Sequence, residues 1–235
     1  MKYEDFSWNG QLASSFGIVV TEQAQYKRPA ERLDQVTVPG RPGSLTLSAT
    51  PSWETVTYAP VCALRPEADR ERVISWLRGR GLVVFGSMPT YAYEARLVNQ
   101  IDFQSVFEGE AQYMTFAPVF ECQPFRRLAV TEPEIQARNG DMIHNPGTVD
   151  ARPRIHISGD GDIQLTVGET LVRLTGVEKD ILLDCDAQEA LSLDGAQLLN
   201  NRMAGDFPTL PPGPSMIQWS GNVYGVALTP RWRWL

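Results

Sequence analysis

The stretch Asn139–Val167, NGDMIHNPGTVDARPRIHISGDGDIQLTV, decides the fold. Ile155 and Ile157 alternate with Arg154, His156 and Ser158, and the period of two resumes at Ile163, Leu165 and Val167. Apolar residues at every second position bury one face of a strand. The Gly159-Asp160-Gly161-Asp162 cluster between the two runs therefore predicts a β-hairpin turning there. Upstream, Asn145-Pro146-Gly147 and Pro153 exclude helix, because proline lacks a backbone N–H and drives the preceding residue toward extended geometry. A fresh β unit is expected to begin here, behind a polar, Pro/Gly-marked connection.

Working outward, 235 residues permit one large β domain or two modest ones, and a sandwich of ~100 residues fills only the second half. Hydrophobic content of 43%, with nine Phe, seven Tyr and six Trp, supplies packed cores, and 19 Gly with 17 Pro suit many short strands. The net charge of −7 is uneven: 13 basic and 14 acidic residues run to Val130, then 8 and 14 from Thr131, for −1 and −6. Such a chain lacks the cationic footprint that displaces counterions from nucleic-acid phosphate or binds anionic lipid. Cys62, Cys122 and Cys185 are odd in number and lack CxxC spacing, which reads as buried thiols in a reducing compartment. Met1–Asp5 starts no signal peptide, and no run approaches the ~20 apolar residues that span a bilayer.

In the first half, Phe6 and Trp8 share a face ahead of an Asn9-Gly10 turn, and Phe16–Val20 reads as a strand. Thr21–Asp34 is polar, Pro-interrupted and reads as an exposed arm. Val36 and Val38 precede Pro39-Gly40-Arg41-Pro42-Gly43, and Leu45 and Leu47 follow, which is strand, tight loop, strand. That loop is no phosphate cradle, since it lacks GxxxxGK[ST] spacing and no helix follows. Thr55–Leu64 and Tyr113–Cys122 read as strands with Pro-marked irregularities, Leu82–Phe85 and Tyr91–Val98 as further strands, and Gln123-Pro124-Phe125 as the close of the unit. One helix is expected over Pro66–Gly79, capped by Asp69. Its apolar stripe is Val73, Ile74 and Leu77, with Trp76 flanking it in the core and Arg70, Arg72, Arg78 and Arg80 on a solvated face. The first half is thus α+β, an antiparallel sheet with one helix.

The second half continues with strands at Leu171–Leu174, Ile181–Cys185 and Ala190–Leu193, a loop at Met203–Pro214, and a hairpin of Met216–Trp219 with Val223–Leu228 across Ser220-Gly221-Asn222. Arg231-Trp232-Arg233-Trp234-Leu235 reads as a docked final strand with snorkelling arginines. The chemistry is sparse. Only His144 and His156 exist, and Asp160, Asp162, Asp184 and Asp186 lack the twelfth-position Glu and flanking helices of an EF-hand. No GxSxG, HExxH or Rossmann glycine run is present. No enzymatic activity and no cofactor are expected.

The order FSWNG (Phe6–Gly10), FGIVV (Phe16–Val20), VPGRPGSL (Val38–Leu45), RERVISWLRGRGLVVF (Arg70–Phe85), ECQPFRR (Glu121–Arg127), NPGTVDARPRIHISGDGDIQLTV and LPPGPSMIQW…PRWRWL resembles the distal tail proteins of long-tailed, non-contractile bacteriophages and prophages. The resemblance implies a ring-forming belt domain over residues 1–130 and a galectin-like β-sandwich over residues 131–235. It further implies a homohexameric ring in the virion tail tip that meets the tail tube protein and the tail-tip hub protein, and a docking point for receptor-binding protein. Interface candidates are Arg41 in the glycine loop, Arg70, Arg72, Trp76, Arg78 and Arg80 around the helix, and the arm. Two other classes compete. A carbohydrate-binding module would use the sandwich, with Trp219 or Trp232 stacking on a sugar, and a hydrolase would need an acidic pair that meets only in the fold. The galectin pattern His-x-Asn-x-Arg is absent, since His144-Asn145 runs into Pro146.

Overall fold

The computed structural model describes residues 5–33, 35–46, 52–108 and 111–235. Leu47 and the end of the expected arm, Asp34, fall outside them. Contacts gather the chain into two compact units, Met1–Ala129 with Leu235, and Val130–Trp234.

The first unit holds two principal antiparallel sheets. The larger runs in spatial order Gln11–Leu12, Phe6–Trp8, Arg80–Phe85, Tyr91–Leu97, Phe120–Leu128 and Val56–Tyr58. The smaller runs Gln104–Glu108, Ala111–Phe116, Val61–Leu64 and Ile18–Glu22. Two stretches read from sequence as single strands are each split between these sheets. Val56–Tyr58 belongs to the larger sheet and Val61–Leu64 to the smaller; Ala111–Phe116 belongs to the smaller and Phe120–Leu128 to the larger. Both transfers occur at an Ala-Pro pair, Ala59-Pro60 and Ala117-Pro118. Proline has no N–H for the ladder, so pairing ends there and a new partner begins. Pro124 behaves otherwise. The strand continues through it to Leu128, and the register against Tyr91–Leu97 shifts between Tyr93↔Arg126 and Ala95↔Cys122, so a bulge absorbs it.

The helix is shorter than expected, Arg70–Trp76. Asp69 does cap it, accepting from the backbone N–H of Glu71 at 2.9 Å and Arg72 at 3.2 Å. Val73 and, at the C-cap, Leu77 are buried as expected and Trp76 is half-buried against the core, while Ile74 is exposed, which corrects the expected stripe at that position. The cause is a column of rings. Phe16 stacks on Trp76 at 4.2 Å and 12°, Trp76 on Phe6 at 5.7 Å and 19°, and the Arg72 guanidinium lies 4.9 Å over Phe16. Phe6 then meets Phe120 edge-on at 5.6 Å. Turning Trp76 inward rotates Ile74 out, and burying one such ring is worth about 2–3 kcal/mol, more than Ile74 loses by partial exposure.

The second unit is one hydrogen-bonded network of eight antiparallel strands around a core of Ile155, Ile157, Leu165, Leu174, Ile217 and Leu228 among others. Its spine is a pair of long strands, Arg154–Val167 and Gly213–Thr229. Neither expected hairpin turn exists. Gly159–Asp162 and Ser220-Gly221-Asn222 lie opposite each other inside these two strands, with three residues, 161–163, facing Gly221 alone between Asp160↔Asn222 and Gln164↔Ser220. The glycines serve a shared bulge. A Cβ at Gly159 would sit 2.5 Å from the Asn222 carbonyl oxygen, and one at Gly221 (φ +102°) would collide with the Asp162 carbonyl oxygen. At this bend the first long strand exchanges neighbours, from Asp180–Asp184 along Arg154–Ser158 to Thr170–Val177 along Gly161–Val167.

The carboxyl end is docked but forms no strand, and its arginines are tied down where snorkelling heads were expected. Trp232 is buried in the second core. Arg231 grips Asp184 with both Nη atoms, at 2.7 and 2.9 Å, and Arg233 Nε donates to the Asp150 carbonyl at 3.0 Å. The Arg231 hydrogen bond holds the Asp184 carboxyl below the usual carboxylate range.

Replacing Gly221 by Ala is expected to destabilise the protein by roughly 1–3 kcal/mol through backbone strain alone, plus the carbonyl clash. Gly161→Ala, whose new Cβ meets nothing within 4 Å, is expected to cost about 1–2 kcal/mol. Denaturant midpoints test this order; a larger loss at Gly161 would restore the hairpin turn.

Candidate functional site

The six interface candidates fall in three settings. Arg41 stands at the tip of an exposed hairpin, Gln35–Thr37 paired with Ser44–Thr46, whose register sets Val36 opposite Leu45. Around the helix, Arg70 pairs with its neighbour Glu71 at 3.1 Å, Arg72 lids the ring column, and Arg78 is exposed beyond the last turn. Trp76 is largely committed to the core. Arg80 opens the strand Arg80–Phe85 directly across from Arg96.

Arg80 also lines a shallow groove of about 480 Å³ on the larger sheet, with Leu82, Glu94, Arg96, Glu121 and Arg127. Here Arg96 bonds Glu121, and Arg127 reaches Glu94 at 2.6 Å. The Arg96 hydrogen bond lowers the pKa of Glu121. These exposed pairs order a polar sheet face without adding much stability. The wall is a ladder of ion pairs, so it offers no convergent acid and base.

The arm is anchored by contacts that composition does not reveal. The Arg126 guanidinium is sandwiched between Tyr26 at 4.7 Å and Tyr91 at 4.4 Å. Lys27 Nζ donates to the Thr57 carbonyl at 2.9 Å, and Ser87 Oγ to that of Ala24 at 2.8 Å. Arg28 lies over Trp53 at 5.8 Å. A planar guanidinium between two rings holds residues 23–30, which form no strand, ahead of the short pairing of Glu31–Arg32 with Ser52–Trp53.

In the second unit the residues that tempt toward chemistry are spent on structure. Asp160 accepts from the backbone of Lys179 at 3.0 Å and bonds Tyr224; Asp162 accepts from Gly176 N–H at 3.0 Å. Asp184 receives Arg231 and the N–H groups of Asp186 and Ala187. His156 Nε2 meets Asp180 at 2.8 Å, and Ser158 Oγ, 3.4 Å from the same ring nitrogen, donates to that carboxylate at 2.7 Å, so one Asp180 oxygen ties both side chains together. His144 is exposed on Met142–Asn145. Among the described residues, no three His, Cys, Asp or Glu side chains converge as a metal set. All three cysteines are buried, and burial pushes each thiol up to about 12. Trp232 lies in the core, which withdraws it as a sugar platform, and Trp219 is partly buried against the same core.

Two structural features escaped sequence reading: the Tyr26–Arg126–Tyr91 clamp and the outer strand Gln104–Glu108, which leaves Phe107 exposed. The alternation of Phe103 and Phe107 before Glu108-Gly109-Glu110 was the available signal for the strand; nothing local signals the clamp.

Over 98% of this chain and 99% of the other, the structure superposes on the crystal structure of SPP1 Dit (gp 19.1), described as a paradigm of the hub adsorption apparatus in phages infecting Gram-positive bacteria, with a TM-score of 0.76 and 14% identity. The chain has the Dit fold. Chains of the phage P2 baseplate in its activated conformation, with Ca and with Sr, align at TM-scores of 0.47 and 0.46 and 8% identity, covering 95% of this chain and 96% of theirs. No protein-family model and no curated protein sequence matches the chain. No helix among the described residues is long and apolar enough to cross a membrane.

Arg126→Met is expected to remove about 1–2 kcal/mol of anchoring, raising the detached-arm population roughly 5- to 30-fold. Trypsin cleavage after Lys27 and Arg32 should accelerate accordingly. An unchanged rate would show that the clamp does not hold the arm.

Proposed function

We propose that the chain is a non-enzymatic structural protein of a phage tail tip. Six copies close into a ring through the first unit, the belt, and the ring joins the tail tube protein to the tail-tip hub protein. The second unit, a galectin-like sandwich, supports receptor-binding protein. The chain is made and assembled in the host cytoplasm and resides in the virion tail. It needs no cofactor.

One observation carries this reading: the likeness to SPP1 Dit runs through both units and nearly the full length of both chains. The molecule's chemistry supports it. Asp160, Asp162, Asp180, Asp184 and His156 of the second unit are engaged in turns and ion pairs, which fits a structural role. Near-neutral charge in the first half, −1 against −6 in the second, lets identical copies approach through the first unit without strong repulsion.

Light scattering tests it. The wild-type chain is expected at six times its 26.2 kDa mass. Arg41→Glu, an exposed change at the hairpin tip, is expected to lower that mass without moving the unfolding midpoint. Rings that form normally with Arg41→Glu would remove the loop from the interface, and a wild-type chain that stays single at every concentration would contradict the ring.

A further inference from the structure

The hairpin Gln35–Thr37/Ser44–Thr46 is built for a cover it lacks. A lone two-stranded hairpin is at best marginal in water, and all six of its strand residues are exposed. Val36 and Leu45 are cross-strand partners, and Val38 follows two positions after Val36. One face is therefore apolar, and Val36 is 44% exposed.

A second surface of the same unit is incomplete in the complementary way. Gln104–Glu108 is the outer strand of the smaller sheet and, among the described residues, is paired on one side only, with Ala111–Phe116. Its free edge presents unpaired backbone N–H and C=O groups, a template for another strand. Alternation puts Phe107 on the side of Phe103, which packs against Phe116 at 4.8 Å, but Phe107 is 73% exposed. The remaining edges are less inviting. Gln11–Leu12 and Val56–Tyr58 are two and three residues long, and Ile18–Glu22 exposes no large apolar side chain.

Charge says what fills the edge. Lys27, Arg28, Arg32 and Arg41 outnumber Glu22, Glu31 and Asp34 by one along the arm and hairpin, and the hairpin itself, residues 35–46, carries Arg41 and no acidic residue, while residues 102–110 contain three acidic residues and no basic one. Like surfaces would repel; unlike ones attract. Two different, complementary patches on one chain generate head-to-tail contacts, which close into a ring when the rotation allows.

We infer that the open edge Gln104–Glu108 of one copy receives the hairpin of a second copy, with Val36 and Leu45 covering Phe107. The inference rests on the ring reading and names the two surfaces that meet in it. Native thiols are buried, so single variants Val36→Cys and Phe107→Cys each carry one reactive site. Light scattering first establishes that both assemble like wild type. A short bis-maleimide is then added to each variant alone and to their mixture. The expected result is a cross-linked pair in the mixture and none with either variant alone. Phe107→Cys linking to itself, or no link in a mixture that still forms rings, overturns this pairing while leaving the ring intact. A wild-type chain that never associates overturns both.

Discussion

A strand that leaves one set of neighbours for another must surrender ladder hydrogen bonds at the point of transfer, and this protein concentrates that cost at a few chosen backbones. In the first unit the transfers fall at Ala59-Pro60 and Ala117-Pro118, where proline has no N–H to leave unpaired. In the second they fall at Gly159 and Gly221, where missing side chains let two bent strands stay in contact through the bulge. Everything else follows from these places. They let one chain segment serve two sheets, and so let two aromatic- and aliphatic-rich cores close with short connections.

Closure of the cores determines what remains outside. Phe6, Phe16 and Trp76 stack inward under Arg72, so the helix presents Ile74 and its arginines outward. The arm is held at its root by Arg126 between two tyrosines, which leaves the hairpin beyond it projecting with an apolar face uncovered. Rigid anchoring of an otherwise uncovered element lowers the ordering cost of docking it on a neighbour. In the second unit, Asp160 and Asp162 cap turns and Asp184 ties down the carboxyl end.

Much of this was legible in the sequence wherever the cause is local. Alternation around Ile155–Val167, the Asp69 cap, the Asn9-Gly10 turn and the PGRPG hairpin all arise from residues within a few positions of one another, and all appear in the structure. The misreadings share one origin. Gly and Asp suit turns and bulges alike, and only the partner decides: Asp160 pairs with Asn222, far along the chain. Trp76 displaced Ile74 from the helix stripe because Phe6 and Phe16 come from other elements, and a seven-residue helix has too few turns for periodicity to settle its face. Among the interface candidates, the setting of Arg41 at a hairpin tip was readable because that hairpin is local. The Arg72 lid, the Arg126 clamp and the edge at Phe107 depend on strands paired across the fold.

The central claim is that these uncovered surfaces exist for copies of the same chain. Electron microscopy of the purified protein tests it most directly. Six-fold rings with an open centre are the expected image, and uniform particles the size of one 26.2 kDa chain at all concentrations would contradict the account.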